Sequence, residues 1–365
     1  MSRAVPIARR NLLADPRRLI TSTAGVGLAI MLILLLDGMW AGLRLGVTTY
    51  QDNVGADLYV AQPATHNFYS ASSHIPLSTV DTVRNDPDVS WAEPVRAFYS
   101  IVDLHGRKVA VSIIGSVPGR RGGPWRLAAG RAPATDDEVV VGRVMAKRHG
   151  LRVDEPIDIL GRRFTIVGTA SDAFMVSFVF MTHAATDQLL LAPATTSFVL
   201  VGTGQPDAVR ARLEATGVSV LDRDELARND FELVARAFGV PMRVMAAVAF
   251  AIGSLVIALT AYAAIVERRR EYGIVKAMGA SGRYLLALAL RQTMFIATTG
   301  LVAGGLLFLG GRVVIAWSRP QFSVLATSAS IVRAIGAAIL MGAVAAVVPA
   351  RRLAKLEPAT AYRGG

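Results

Sequence analysis

The chain has 365 residues, 53% hydrophobic and 18% charged, with no cysteine and a formal net charge of +12. So high a hydrophobic share with so few charges excludes a disordered chain and points to one partly dissolved in lipid. The absence of cysteine excludes disulfide scaffolds, thiolate zinc sites, iron–sulfur clusters and cysteine nucleophiles.

The basic excess is unevenly placed. From Arg44 to Arg243 there are 21 Lys and Arg against 22 Asp and Glu, whereas the flanks hold 18 against 5. All of it lies beside apolar runs. A nucleic-acid partner would require a folded basic face with aromatics for stacking, so no nucleic acid is expected.

In chain order, Arg9, Arg10, Arg17 and Arg18 precede a first apolar run, Leu19 to Leu36. That run is longer than a signal-peptide core, and Asp37-Gly38-Met39-Trp40 stand where small residues would mark cleavage, so it reads as an anchor. Three more runs are long enough to span: Val244 to Val266, Gln292 to Gly311 and Ala334 to Pro349. The last gains length if it starts near Val324, with Arg333 snorkelling outward. Arg268, Arg269, Arg270, Lys276 and Arg283 between spans two and three, and Arg351, Arg352, Lys355 and Arg363 after span four, place those segments and both termini in the cytoplasm. The expected fold class is a polytopic α-helical membrane protein, multi-pass in the cytoplasmic (inner) membrane, with four transmembrane helices and a large extracytoplasmic α+β domain between the first and second. The expected boundaries are a cytoplasmic amphipathic helix at 1–18, spans at 19–43, 236–266, 284–311 and 325–349, and the external domain with its stalk at 44–235. A cytoplasmic loop at 267–283, a short external loop at 312–324 and a cytoplasmic tail at 350–365 complete the chain.

The external segment alternates like strands at Asp57 to Ala61, Trp91 to Leu104, Lys108 to Ile114 and Glu138 to Val141. His105-Gly106 predicts one hairpin, and Gly161-Arg162-Arg163 a second between Pro156 to Leu160 and Phe164 to Gly168. Ser197 to Val201, a helix over Pro206 to Ala215 and Gly217 to Leu221 predict a β-α-β unit; Asp222 to Phe238 predicts a helical stalk leading into span two. No catalytic constellation emerges. His66, His74, His105, His149 and His183 lack the i, i+4 pairing of a helical metal site and read as scattered surface histidines, and Asp136-Asp137-Glu138 lacks the alternation of a calcium loop and reads as a solvated turn. No nucleophile elbow or phosphate loop is present, so the chain is expected to be no enzyme.

The most informative segment is ERRREYGIVKAMGAS, Glu267 to Ser281. Glu267 and Glu271 are i, i+4; Arg268, Arg269 and Arg270 suit an anionic membrane surface; Ile274, Val275 and Met278 share a helical face, and Gly279 is a helix stop. These features describe equally an interfacial helix lying on headgroups and a docking helix.

The string itself resembles the cytoplasmic loop of the MacB/FtsX-like permeases of ABC transporters (type VII), with Glu267, Arg268, Glu271, Gly273, Ala277, Gly279, Ala280 and Ser281 in matching places. Arg10-Asn11-Leu12, Gly55-Ala56-Asp57-Leu58, Gly130-Arg131 with Asp137 to Gly142, and Pro349 to Arg363 are also similar to that family. The resemblance implies that residues 267 to 281, Tyr272 among them, form an ATPase-coupling helix. It implies a partner as well: a separate cytoplasmic ABC ATPase subunit in two copies, which holds ATP and magnesium while this chain binds no cofactor directly. The chain would work as a homodimer or as a heterodimer with a related permease, in a lipid bilayer, with an extracytoplasmic adaptor or hydrolase as a further candidate partner. Fusion to an ATPase is not expected, because the first residues already resemble the family's leading helix.

No ionisable chain lines spans two to four, which argues against an ion-coupled carrier and favours work on an amphiphile such as a lipid, lipoprotein, peptide or drug. The alternative is mechanotransmission that activates an extracytoplasmic cell-wall hydrolase or sensor without transport. Gly300 and Gly304 mark a close helix contact, within one chain or between two. Asp37 and Arg44 form a candidate pair at the outer edge of span one.

Overall fold

The computed structural model describes residues 16–69, 73–104, 106–170, 177–267, 274, 277–318 and 322–354. The helices are α1 (Pro16–Val47), α2 (Thr49–Val54), α3 (Ser78–Arg84), α4 (Arg143–His149), α5 (His183–Leu190), α6 (Pro206–Glu214), α7 (Arg223–Glu267), α8 (Gly282–Ser318) and α9 (Ser328–Ala354). The chain divides into two units, one formed by Met1–Ala41, Phe238–Ser318 and Val324–Gly365, the other by Gly42–Ala237 and Arg319–Ser323.

The second unit is the α+β domain expected between the first two spans. Its strands are β1 (Leu58–Ala61), β2 (Ile75–Pro76), β3 (Val89–Leu104), β4 (Arg107–Ser116), β5 (Leu127–Gly130) and β6 (Glu138–Gly142), then β7 (Pro156–Ile159), β8 (Arg162–Ala170), β9 (Ser177–Thr182), β10 (Thr195–Thr196), β11 (Phe198–Thr203) and β12 (Ser219–Asp222). The main sheet runs β12-β1-β11-β3-β4-β9-β6-β8-β5 with β7 on β8, and β2 pairs with β10 apart from it. Among the described residues, β4 with β9 and β6 with β8 are the parallel pairs. The long strand β3 tolerates Pro94 because that residue faces Val199 of β11, while pairing with β4 on the other edge starts at Val95, so no ladder donor is missed.

The β3–β4 hairpin turns at Gly106, as expected. The β7–β8 turn is a correction: Ile159 pairs with Arg162, leaving Leu160-Gly161 as the two central residues, both at positive φ, so the primed two-residue turn replaces a turn at Gly161-Arg162-Arg163. The β-α-β unit is β11-α6-β12, with β1 inserted between its two strands and antiparallel to both. One core gathers Tyr50, Tyr59, Val95, Phe178, Phe180 and Phe198; another gathers Val111, Ile113, Ile159, Phe164 and Val179. Each such fully buried side chain contributes roughly 2 kcal/mol of transfer free energy.

In the helical unit, α1, α7, α8 and α9 include the four helices long and apolar enough to cross a membrane. Their contacts are made by small residues. A Cβ added to Gly300 would stand 2.3 Å from Cγ1 of Val26, and one added to Gly304 would stand 2.7 Å from the Gly27 carbonyl, so α8 lies directly on α1. Met294 of α8 reaches Gly342 of α9, and Met341 of α9 reaches Gly253 of α7. Because lipid tails are as apolar as leucine, this backbone approach supplies the packing that a hydrophobic effect supplies in water.

Asp222 caps α7, its Oδ1 accepting the Glu225 N–H at 2.7 Å. From there α7 is unbroken to Glu267 with Pro241 inside it, so the expected stalk and second span are one helix, carrying residues of both units.

Candidate coupling site

The N-terminal end of α1 and the C-terminal end of α7 are joined by polar groups. Arg18 donates from Nη1 to Oε2 of Glu267 at 2.8 Å and from Nη2 to the Thr260 carbonyl, and Ser22 and Thr260 share a hydroxyl hydrogen bond of 2.6 Å. On the other side of α1, Thr23 and Thr299 of α8 are 3.1 Å apart. Glu267, the first residue of the predicted coupling segment, is therefore tied to α1 as well as to its own helix.

Beyond it, Ile274 and Ala277 are helical and exposed; the Met278 N–H bonds the Ile274 carbonyl at 3.0 Å. Ile274 is 39% exposed and Met278 74%, so two of the three predicted apolar contact residues are accessible. Gly279 takes φ +93°, a conformation that ends a helix without a Cβ clash, and Ser281 then caps α8 by accepting the Tyr284 N–H at 3.3 Å. Ala280 is half-buried. Arg268, Glu271, Tyr272, Gly273 and Val275 lie outside the described residues, as do the helix expected before Asp15 and the tail after Ala354. Arg18 and Thr260 were not singled out by the sequence: Arg18 entered only as a topological charge, and a lone threonine in an apolar run carries no signal. Gly300 and Gly304 both face α1 of the same chain.

Farther along α1, Asp37 is paired with Arg333 of α9 by two hydrogen bonds of 2.8 Å each. This corrects the expectation of an Asp37–Arg44 pair. The planar guanidinium fork of Arg333 meets the carboxylate bidentately, a geometry that satisfies both charges. Arg44 instead lies over the Phe231 ring at 5.7 Å.

The external unit holds its own charged clusters. Arg96, 1% exposed, donates to Asp187 at 2.7 Å, to the Ala192 carbonyl at 3.1 Å and to Thr195, and His183 Nδ1 lies 3.5 Å from Asp187. His183 is thus a buried histidine rather than a surface one, and burial lowers its pKa. Asp230 of α7 accepts Gln51 Nε2 at 2.6 Å and the N–H groups of Phe68 and Tyr69 at 2.8 and 3.3 Å; burial nevertheless raises its pKa to about 7. Asp136 and Asp137 lie in a turn, as expected, with Asp137 exposed, but the three carboxylates have partners. Asp136 accepts the Thr182 hydroxyl, Asp137 the Thr135 hydroxyl, and Glu138 binds Arg131, whose hydrogen bonds lower the Glu138 pKa to about 2. Among the described residues no group of three or more His, Asp or Glu is placed to hold a metal ion.

Residues 19–220 match the family model described as MacB-like periplasmic core domain, and residues 243–358 the one described as FtsX-like permease C-terminal. The chain is 26% identical to the ABC transporter permease Rv2563 of Mycobacterium tuberculosis (strain ATCC 25618 / H37Rv), over 95% of this chain and 96% of that one. It is 24% identical to the pyoverdine export ATP-binding/permease protein PvdT of Pseudomonas syringae pv. tomato, over 65% of this chain and 40% of that one. Among solved structures it is similar to the periplasmic region of MacB from Actinobacillus actinomycetemcomitans, with a TM-score of 0.37 and 10% identity over 48% of this chain and 92% of that one.

Proposed function

This chain belongs to the ABC transporter permeases of MacB/FtsX type, and from that premise we propose that it couples ATP hydrolysis on a separate ATPase subunit to movement of its extracytoplasmic domain, exporting or extracting an amphiphilic molecule. Two copies of the ATPase, holding ATP and magnesium, would act on two copies of this chain or on this chain and a related permease. The arginine-rich flanks support cytoplasmic termini. One observation carries the reading: Ile274 and Met278 are presented outward immediately after a helix that runs unbroken from Arg223 to Glu267, and Glu267 is fixed to Arg18. A partner that covers the two apolar side chains would engage the chain seven residues beyond the end of α7. Mechanical activation of an extracytoplasmic hydrolase or sensor would use the same element.

The test is a pull-down of the tagged full chain from mild detergent, assayed for a co-purifying ATPase. Wild type is expected to bring it down, and an inserted Ile274→Asp/Met278→Asp variant to lose it, since central apolar anchors are each worth about 1–2 kcal/mol or more. Equal recovery by variant and wild type, or no ATPase with either, would sink the proposal.

A further inference from the structure

The segment SVPGRRGGPW, residues 116 to 125, lines a groove of about 370 Å³ together with Asn53 and Val54 of α2 and Ala132 and Pro133. That volume lies within the range of small-molecule sites, roughly 300–1,000 Å³. Its apolar wall is anchored in the core: Trp125 stands edge-on to Phe178 and Phe180, each at 5.7 Å. The loop is held open by its backbone. Gly122 has φ +101°, a Cβ there would stand 2.5 Å from Cγ2 of Val95, and its carbonyl accepts the Tyr50 hydroxyl at 2.9 Å. Among the described residues, no backbone group accepts the N–H groups of Gly119, Arg121, Gly122 or Gly123, although Gly122 itself is buried.

Two guanidinium groups join these donors. The Arg121 guanidinium lies over the Trp91 ring, 4.8 Å from its centroid. Arg120, with 68% of its side chain exposed, has the Glu93 carboxylate at 4.0 Å, but Glu93 is shared with Arg84 at 3.3 Å, and no acidic side chain lines the groove. Adjacent cations in a groove without an acidic lining favour an anion, and a guanidinium matches phosphate or carboxylate bidentately. The neighbouring surfaces of Trp125, Val54 and Pro133 are apolar.

We propose that this groove binds an anionic amphiphile, its phosphate or carboxylate head at Arg120, Arg121 and the glycine loop and its apolar chain along Trp125. The proposal deepens the transport reading and names the substrate class. It is tested on the full chain in phosphatidylcholine nanodiscs by calorimetric titration with dodecyl phosphate, inorganic phosphate and dodecyl maltoside. Dodecyl phosphate should bind saturably and more tightly than either control. An Arg120→Gln/Arg121→Gln variant should weaken it at least tenfold, and Arg120→Gln alone, at an exposed side chain whose loss leaves Glu93 paired with Arg84, at least threefold. Arg148→Gln, which removes an exposed cation elsewhere on the same unit, should leave binding unchanged. Equal affinity in wild type and the double variant would overturn the site; dodecyl maltoside binding as tightly would overturn the anionic head, and inorganic phosphate binding as tightly would overturn the apolar chain. The titration needs no ATPase, so it fails or succeeds independently of the pull-down.

Discussion

The two units differ in whether they bury ionisable side chains. Among the described residues every buried ionisable side chain, Tyr50, Tyr59, Glu93, Arg96, His183 and Asp230, belongs to the external unit. The helical unit buries serine, threonine and Gln292, and keeps its ion pairs, Arg18–Glu267 and Asp37–Arg333, at the helix ends. A domain surrounded by water has a large apolar gain on folding against which a caged charge can be set, and the charge then fixes which loop sits where. Helices in lipid have no such gain between them, so their register is fixed by the places where a side chain is missing.

That contrast can be broken most severely at Arg96. Asp187→Ala leaves a buried guanidinium without its carboxylate and should destabilise the external unit by about 3–5 kcal/mol, read as a lowered midpoint of its unfolding in detergent. An unchanged midpoint would mean that the carbonyls of Ala192 and Thr195 suffice.

Asp230 gives the next largest effect, and its sign is fixed. A carboxyl whose folded pKa is raised to about 7 binds more protons folded than unfolded from about pH 4 up to about pH 7. Its contribution to stability is therefore greatest below about pH 4, declines with a slope of up to about 1.4 kcal/mol per pH unit, and levels off above about pH 7. Asp230→Asn should flatten that decline in unfolding curves recorded from pH 4 to 8. A variant that tracks the wild-type profile would show that Asp230 is not the group responsible.

The smallest of the three lies in the helical unit. Gly304→Leu inserts a side chain where α1 and α8 leave none and should cost about 1–3 kcal/mol, without altering the pH profile of the external unit. Cysteine pairs placed on α1 and α8 of the otherwise cysteine-free chain should cross-link less in the variant; undiminished cross-linking would show that the contact tolerates the side chain.

What the sequence made legible followed from periodicity and punctuation. The four apolar runs, the alternation of β3 and β4, the Gly106 hairpin and the β11-α6-β12 unit each carry a local signal that tertiary contacts leave in place. The passages not foreseen lack one. Helices α3, α4 and α5 are seven or eight residues long, too short for a helical period to stand out, and β5 is exposed at all four positions, so neither alternation nor burial marks it. Of the coupling segment, the stop at Gly279 and the outward Ile274 and Met278 were readable because a cap and an amphipathic face are local patterns. Its tie to Arg18 was not, because 249 residues separate that pair and no rule of spacing connects them; the same holds for Asp37 and Arg333, 296 residues apart.

Pro241 gives α7 a property that its unbroken course conceals. A proline has no N–H, so the carbonyl of Ala237, four residues earlier, lacks the bond that every ordinary turn provides. Gly239 loosens the same turn, and its carbonyl receives the Arg243 side chain at 3.2 Å. Flexure is resisted least where a bond is already missing. Over its 45 residues α7 is thus a beam with its compliance gathered into a single joint, close to the residue at which the chain passes from one unit to the other.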